Sequence, residues 1–139
     1  PDNEFRIGKG RILREGHDAT IITCGRPLHE VLRAVKELDR QGISVRVIHL
    51  PTVKPIDREM LIRAARETGR LITVEEHSIT GGLGSAVAEV VSEQCPCLVY
   101  RLGVPDVFGL PGHEAELARY FGLTGPQIAE KVRQVLKRN

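Results

Sequence analysis

Tryptophan is absent from this chain of 139 residues, and aromatic residues make up only 4% of it. Surfaces that stack nucleic-acid bases are built from aromatic side chains, so this scarcity argues against a binder of single-stranded nucleic acid. An excess of one charge is missing as well, because 20 Lys and Arg stand against 18 Asp and Glu, for a formal net charge of +2. We therefore expect no nucleic-acid partner, since such binding usually needs a strongly basic surface.

Cysteines are few and long apolar runs are missing. Cys24, Cys95 and Cys97 are the cysteines, and the Cys-Pro-Cys spacing is not that of a zinc site. We expect all three to be reduced, metal-free thiols, as is usual in a reducing cytoplasm. No apolar run approaches the roughly 18 residues that a membrane-spanning helix needs, and we expect no signal peptide. The sequence predicts a cytoplasmic protein without a membrane partner.

The composition is that of an ordinary folded domain. Hydrophobic residues account for 41% of the chain and charged residues for 27%. A chain of this size buries roughly 68% of the surface that its unfolded form exposes, which is enough for one hydrophobic core. No repeat, low-complexity segment or linker interrupts the sequence, so we predict a single domain over residues 1–139.

Short apolar segments alternate with amphipathic ones along the chain. The apolar segments are typical of buried strands and cover residues 20–24, 44–49, 71–75 and 98–102. Three helices with apolar residues at helical spacing are predicted between these strands. The first ends at Gly42, the second has Asp57 as its N-cap and ends at Gly69, and the third follows Gly84. Two more helices are predicted, one over about residues 114–121 and one that starts at a capping box formed by Thr124 and Gln127. Such alternation predicts an α/β fold with a mostly parallel sheet covered on both faces.

The most unusual stretch, residues 75–84, follows the third of these strands. Ligands of open parallel sheets bind beyond the carboxyl ends of the strands, so this stretch is a candidate site. Its candidate substrate-binding or interface residues are Glu76, His77, Gly81, Gly82 and Gly84. We expect the loop to contact a partner or an anion, because the start of the following helix carries a partial positive charge and free N–H groups.

The adjacent acids Glu75 and Glu76 at the strand end should point to opposite faces of the sheet. They are therefore not predicted to act as a carboxylate pair, and we expect neither to have an enclosed apolar site. His77 is compatible with a substrate contact, a metal ligand or a structural role in the loop. No catalytic residue is predicted.

The glycines permit two interpretations. G-x-G-x-x-V over residues 82–87, with Asp106 about twenty residues later, is a partial dinucleotide fingerprint. However, six residues separate it from the strand, and Glu75 and Glu76 would repel a pyrophosphate. The interpretation favoured by the residues is a tight turn with positive φ and close packing at the helix start.

An ordered set of segments resembles the C-terminal domain of the transketolase family of thiamine-diphosphate enzymes. The segments are residues 7–10, 18–25, 51–57, 74–77, 81–87, 103–108 and 122–124. Glu-Glu-His followed by the glycines is most similar to the split transketolases, whose C-terminal subunit is a separate chain. The resemblance implies a three-layer α/β/α fold with a mostly parallel five-stranded sheet whose first strand is antiparallel. Residues 11–14 are the candidate for that strand.

The resemblance also implies a function. The domain would support the dimer and the active-site surroundings of an enzyme that transfers two-carbon ketol units between sugar phosphates. Thiamine diphosphate and Mg²⁺ would be held by the pyrimidine-binding and diphosphate-binding domains, and the Gly-Asp-Gly motif of the latter is absent here. We therefore expect this chain to bind no cofactor or metal and to be inactive alone, with those domains as partners in a homo-oligomer.

Two alternatives stay open. The chain could be the same module of a 2-oxo acid dehydrogenase beta subunit, where it would help to dock an acyltransferase. It could also be an independent domain that binds a nucleotide or another anion through residues 81–84.

Overall fold

In a computed structural model that describes residues 5–138, one sheet is formed by five strands. The strands are β1 Arg11–Arg14, β2 Ala19–Thr23, β3 Val45–His49, β4 Arg70–Ser78 and β5 Leu98–Val104. The helices are α1 Leu28–Asp39, α2 Arg58–Thr68, α3 Leu83–Gln94, α4 Glu114–Tyr120 and α5 Gly125–Leu136. Every predicted element is present within one to three residues of its expected bounds.

The strands lie in the order β1-β3-β2-β4-β5. β2 pairs in parallel with both β3 and β4, and β4 pairs in parallel with β5, whereas β1 is antiparallel to β3. The fold implied by the resemblance is therefore confirmed, including the antiparallel first strand.

Alternate residues of the strands pack into two separate apolar clusters, one on each face of the sheet. Ile21 of β2 packs with α1 and α5 on one face, while its neighbour Ile22 packs with α2 and α3 on the other. All five residues of β2 are buried, because a central parallel strand is covered on both sides. The result is three layers, with the sheet between two pairs of helices.

Helix ends follow their local signals. The Asp57 carboxylate accepts a hydrogen bond of 3.2 Å from the Met60 N–H as the N-cap of α2, and Gly69 ends that helix with φ 65°. The capping box of Thr124 and Gln127 is formed at the start of α5. At the end of α1 the prediction was slightly wrong, since the C-cap is Arg40 and Gly42 lies in the turn beyond it.

Two expectations about strand ends were wrong. β4 continues through Glu76 and His77 to Ser78, so these residues belong to a strand rather than a loop. The pairing register with β5 shifts between Val74 and Ser78, and the extra residues form an irregular, bulge-like segment there. Cys24 lies one residue beyond β2 and is only half-buried, instead of inside a buried strand.

The helices in the described part of the chain, residues 5–138, lack the length and apolar character needed to cross a membrane.

Candidate functional site

The carboxylate of Glu75 lies inside the protein, at the start of α3. The side chain is 1% exposed. Its Oε2 accepts a hydrogen bond of 2.6 Å from the Leu83 N–H, and its Oε1 accepts one of 2.9 Å from the Gly84 N–H. The first N–H groups of a helix have no partner within it, and a negative charge there is stabilised by the helix dipole. Glu75 therefore caps α3, and its carboxylate is enclosed, which was not expected, although two N–H groups bind it there.

This contact decides between the two interpretations of the glycines. A dinucleotide fold places the pyrophosphate at the helix N-terminus, but here the chain's own carboxylate occupies that position. An additional anion would lie against Glu75 and be repelled by it. The structure therefore disfavours nucleotide or anion binding through residues 81–84.

Gly82 and Gly84 are required by close packing. A Cβ on Gly82 would lie 2.1 Å from Glu75 Oε2 and 2.5 Å from the Ser78 carbonyl oxygen. A Cβ on Gly84 would lie 2.6 Å from both Thr73 Oγ1 and Arg101 Cγ. Positive φ occurs at Gly81 (74°) and at neither of these two. Both predicted roles, a turn and close packing, are present, but on different glycines.

Arg101 and Ser85 hold the turn that precedes α3, and neither was singled out from the sequence. Arg101 Nη1 donates to the Ile79 carbonyl oxygen at 2.8 Å, and the Ser85 hydroxyl donates to the same oxygen at 3.1 Å. The Gly81 N–H in turn donates to Ser85 Oγ at 3.0 Å. The only available signal was an arginine within the otherwise apolar strand β5.

Glu76 points to the opposite face from Glu75, as predicted. It lines a cleft of about 860 Å³ at the carboxyl ends of the strands. Arg26 and His29, which follow β2, line the same cleft, and Arg26 forms an ion pair with Glu114 of α4. The apolar part of the lining includes Val104, Leu117, Ala118, Phe121 and Leu123.

Glu30 on the wall of this cleft joins α1 to α5. Its Oε2 accepts a hydrogen bond of 2.5 Å from the Gly125 N–H, and its Oε1 pairs with Arg33 at 3.0 Å. Partial burial acts to raise the pKa of Glu30, but the Gly125 N–H and the Arg33 charge outweigh it and lower that pKa. Glu30 thus caps α5 as an ionised carboxylate.

The remaining candidates are not gathered at the cleft. His77 is exposed, with Nδ1 2.9 Å from the Ser78 carbonyl oxygen, and it is not part of the cleft lining. Gly81, Gly82 and Gly84 lie at the start of α3, where Glu75 points. The structure therefore brings Glu76 together with Arg26 and His29, and separates it from the glycines.

Cys24, beyond the end of β2, is unsuited to act as a nucleophile. Burial raises the pKa of its thiol, and the nearby charges of Glu75 and Glu76 raise it further. A protonated thiol is a poor nucleophile and a poor metal ligand. The redox state of the three cysteines stays a prediction.

Two of the segments that carried the resemblance meet at the start of α2. The Gly10 N–H donates to Asp57 Oδ2 at 2.9 Å, and the Gly8 N–H donates to Thr52 Oγ1 at 2.8 Å. Asp57 therefore serves two elements at once, since its other oxygen caps α2. The two segments are thus joined by hydrogen bonds in the fold.

Residues 8–128 match a family model described as "Transketolase, C-terminal domain". The chain is 44% identical over 137 residues to "6-deoxy-6-sulfo-D-fructose transketolase subunit SqwH" of Clostridium sp. (strain MSTE9), covering 99% of this chain and 42% of that protein. It is 40% identical over 130 residues to "1-deoxy-D-xylulose-5-phosphate synthase" of Heliobacterium modesticaldum (strain ATCC 51547 / Ice1), covering 93% and 20%.

A solved structure, "Split gene transketolase, inactive beta4 tetramer", has a similar fold. It superposes with a TM-score of 0.92 at 46% identity, covering 98% of this chain and 45% of that one. The chain thus spans less than half the length of the relatives it matches.

Proposed function

Because the chain belongs to the family of transketolase C-terminal domains, we propose that it supports the active site of a complete transketolase without carrying the chemistry itself. That enzyme would transfer two-carbon ketol units between sugar phosphates and depend on thiamine diphosphate. We further propose that the chain acts as one domain over residues 1–139 and is cytoplasmic.

The observation that supports this role is the position of Glu75. A diphosphate needs a divalent cation with several oxygen ligands, or an open helix N-terminus. In the described residues 5–138, no group of three or more His, Cys, Asp or Glu side chains is arranged to hold a metal ion. The start of α3 is filled by Glu75. These observations on residues 5–138 support the proposal that the other domains, and not this one, hold thiamine diphosphate and Mg²⁺.

The lengths of the relatives support a partnership with those domains. More than half of the SqwH subunit lies outside the matched region, and we propose that pyrimidine-binding and diphosphate-binding domains accompany this chain. The solved relative is described as a tetramer of beta subunits, and we propose that this chain also forms homo-oligomers. Glu76 and His77, on the exposed part of β4, would face the partner domains. Gly81, Gly82 and Gly84 would act indirectly, by holding the turn beside them.

Reconstitution tests the supporting role. Ketol transfer is measured with this chain alone, with the pyrimidine-binding and diphosphate-binding domains alone, and with both together. We expect activity only in the mixture or in a fusion of all three domains. Calorimetry with thiamine diphosphate and Mg²⁺ on the isolated chain should give no saturation, and binding at micromolar affinity would contradict the proposal.

A further inference from the structure

The two edges of the sheet differ in how well they are protected against pairing with another strand. β1 has four residues, two of them arginines, and its register with β3 shifts between Ile12 and Arg14. Short length, charge and irregularity are the features by which natural sheets block edge pairing. β5 at the other edge has seven residues and contains neither proline nor lysine. Its register with β4 shifts only beyond Leu102, so Leu98–Leu102 is longer than β1, is regularly paired and carries a single charge, that of Arg101.

Arg101, the one charged residue of β5, does not place its charge at the outer edge of the strand. The guanidinium of Arg101 is turned toward α3, where it donates to the Ile79 carbonyl oxygen at 2.8 Å. Its side-chain stem lies over Gly84, so the arginine is committed to the sheet's own packing. Within residues 5–138, no backbone hydrogen bond joins Leu98–Gly103 to any segment other than β4. Leu98–Arg101 are exposed or partly exposed, whereas Leu102 and Gly103 are buried, so the outer N–H and C=O groups of Leu98–Arg101 are the ones open to a second strand.

The side chains of β5 are compatible with antiparallel pairing between two copies of this strand. Tyr100 and Leu102 pack on the face of α1 and α5, and Leu98, which alternation places on the same face, is 37% exposed. In an antiparallel pair with its twofold axis at Tyr100, Leu98 would lie opposite Leu102 of the second copy. Arg101 would lie opposite Val99 of the second copy, and so away from its own equivalent. Apolar and aromatic cross-strand pairs are favourable, whereas like charges directly opposite are not.

We propose that β5 pairs antiparallel with β5 of a second copy of this chain, about a twofold axis at Tyr100, and joins two five-stranded sheets into one. A twofold interface uses the same surface on both copies. β5 meets this requirement because its side chains can pair with those of an identical, antiparallel strand. This pairing would be the surface of the homo-oligomer proposed above, and it rests only on that part of the proposed function. It is tested by measuring dimerisation, so a negative result would be distinct from a negative result in the ketol-transfer assay.

A charge placed on the β5 edge tests the surface. Sedimentation of the 139-residue chain over a range of concentrations gives the dissociation constant of the dimer. We expect Leu98→Lys to weaken dimerisation by about tenfold or more, because each dimer loses two apolar cross-strand pairs. Leu13→Lys on β1 is the matched control, since Leu13 is 42% exposed on the opposite edge strand. A monomer at about 1 mM, or equal effects of the two variants, would overturn the proposal.

A cysteine at the axis tests the register. Tyr100→Cys would meet its own equivalent with Cα atoms about 4.5–5.5 Å apart, which a disulfide can span. We expect mild oxidation to cross-link this variant into a covalent dimer. Wild-type protein controls for the native cysteines and should stay uncross-linked. Absence of the cross-link in a protein that still dimerises would refute the register.

Amide exchange on β5 that slows only when the other transketolase domains are added would overturn the proposal, because another domain would then occupy the edge.

Discussion

Glu75 and Glu76 are adjacent in the chain, yet their carboxylates have different surroundings. Glu75 is 1% exposed and binds two backbone N–H groups of α3, while Glu76 is exposed at the rim of the cleft. Alternation along a strand separates the two side chains, and the covering helix then gives one of them a partner. A single position along β4 thus decides whether a carboxylate stabilises the fold or faces solvent.

We expect Glu75→Ala to lower the free energy of unfolding by about 2–3 kcal/mol, because it leaves two helix N–H groups buried without an acceptor. Glu75→Gln should cost less, since an amide keeps one accepting oxygen but loses the charge. The measurement is urea denaturation at neutral pH. Glu76→Ala is the matched control and should change stability by no more than about 0.5 kcal/mol. Equal stabilities of the Glu75→Ala and Glu76→Ala proteins would show that the cap is unimportant.

Gly84→Ala should destabilise the protein by about 1–3 kcal/mol through overpacking. The new methyl group would lie 2.6 Å from Thr73 Oγ1 and from Arg101 Cγ, both parts of packed side chains. Gly109→Ala is the appropriate comparison, because its Cβ meets nothing within 4 Å and its φ is not positive. Thermal melts of both variants measure the effect, and an unchanged melting point for Gly84→Ala would contradict it.

At the scale of helices and strands, the fold was predictable wherever a local signal marks an element. The Asp57 cap, the Gly69 stop and the Thr124 capping box each act within a few residues, and each defined a helix end correctly. The continuation of β4 through His77 was not predictable, because it depends on register with β5 rather than on residues 76–78 themselves. The cap by Glu75 and the turn held by Arg101 were missed for the same reason, since both join segments that only the folded sheet brings together.

The contact between Glu30 and α5 should make stability depend on pH. The pKa of Glu30 is lowered in the folded protein, so the stabilisation is complete above the unfolded-state pKa and is lost as pH falls through the lowered value. We expect Glu30→Gln to cost about 1 kcal/mol at pH 7 and progressively less in acid. Denaturation of both proteins from pH 7 to below the ordinary carboxyl range measures this. A difference independent of pH would show that the charge of Glu30 contributes nothing.

At the scale of the whole molecule, the fold and family were accessible from sequence because many modest signals occur in the right order. The candidate site was less so. Glu76 lines a cleft with Arg26 and His29, two residues far earlier in the chain that parallel strands bring to the same edge. His77 and the three glycines lie elsewhere. Glu76, His77 and the three glycines are close in the sequence but not in space, because the strand β4 and the start of α3 direct them to different sides.

The close approach of Gly82 to Glu75 has a consequence for how this family can evolve. A side chain at position 82 would overlap both the carboxylate of residue 75 and the backbone carbonyl oxygen of Ser78, so shortening the acid alone would not make room for it. Glycine at position 82 is therefore required by the backbone of the turn as well as by the cap. Position 82 should accordingly stay glycine across homologous sequences even where residue 75 has changed.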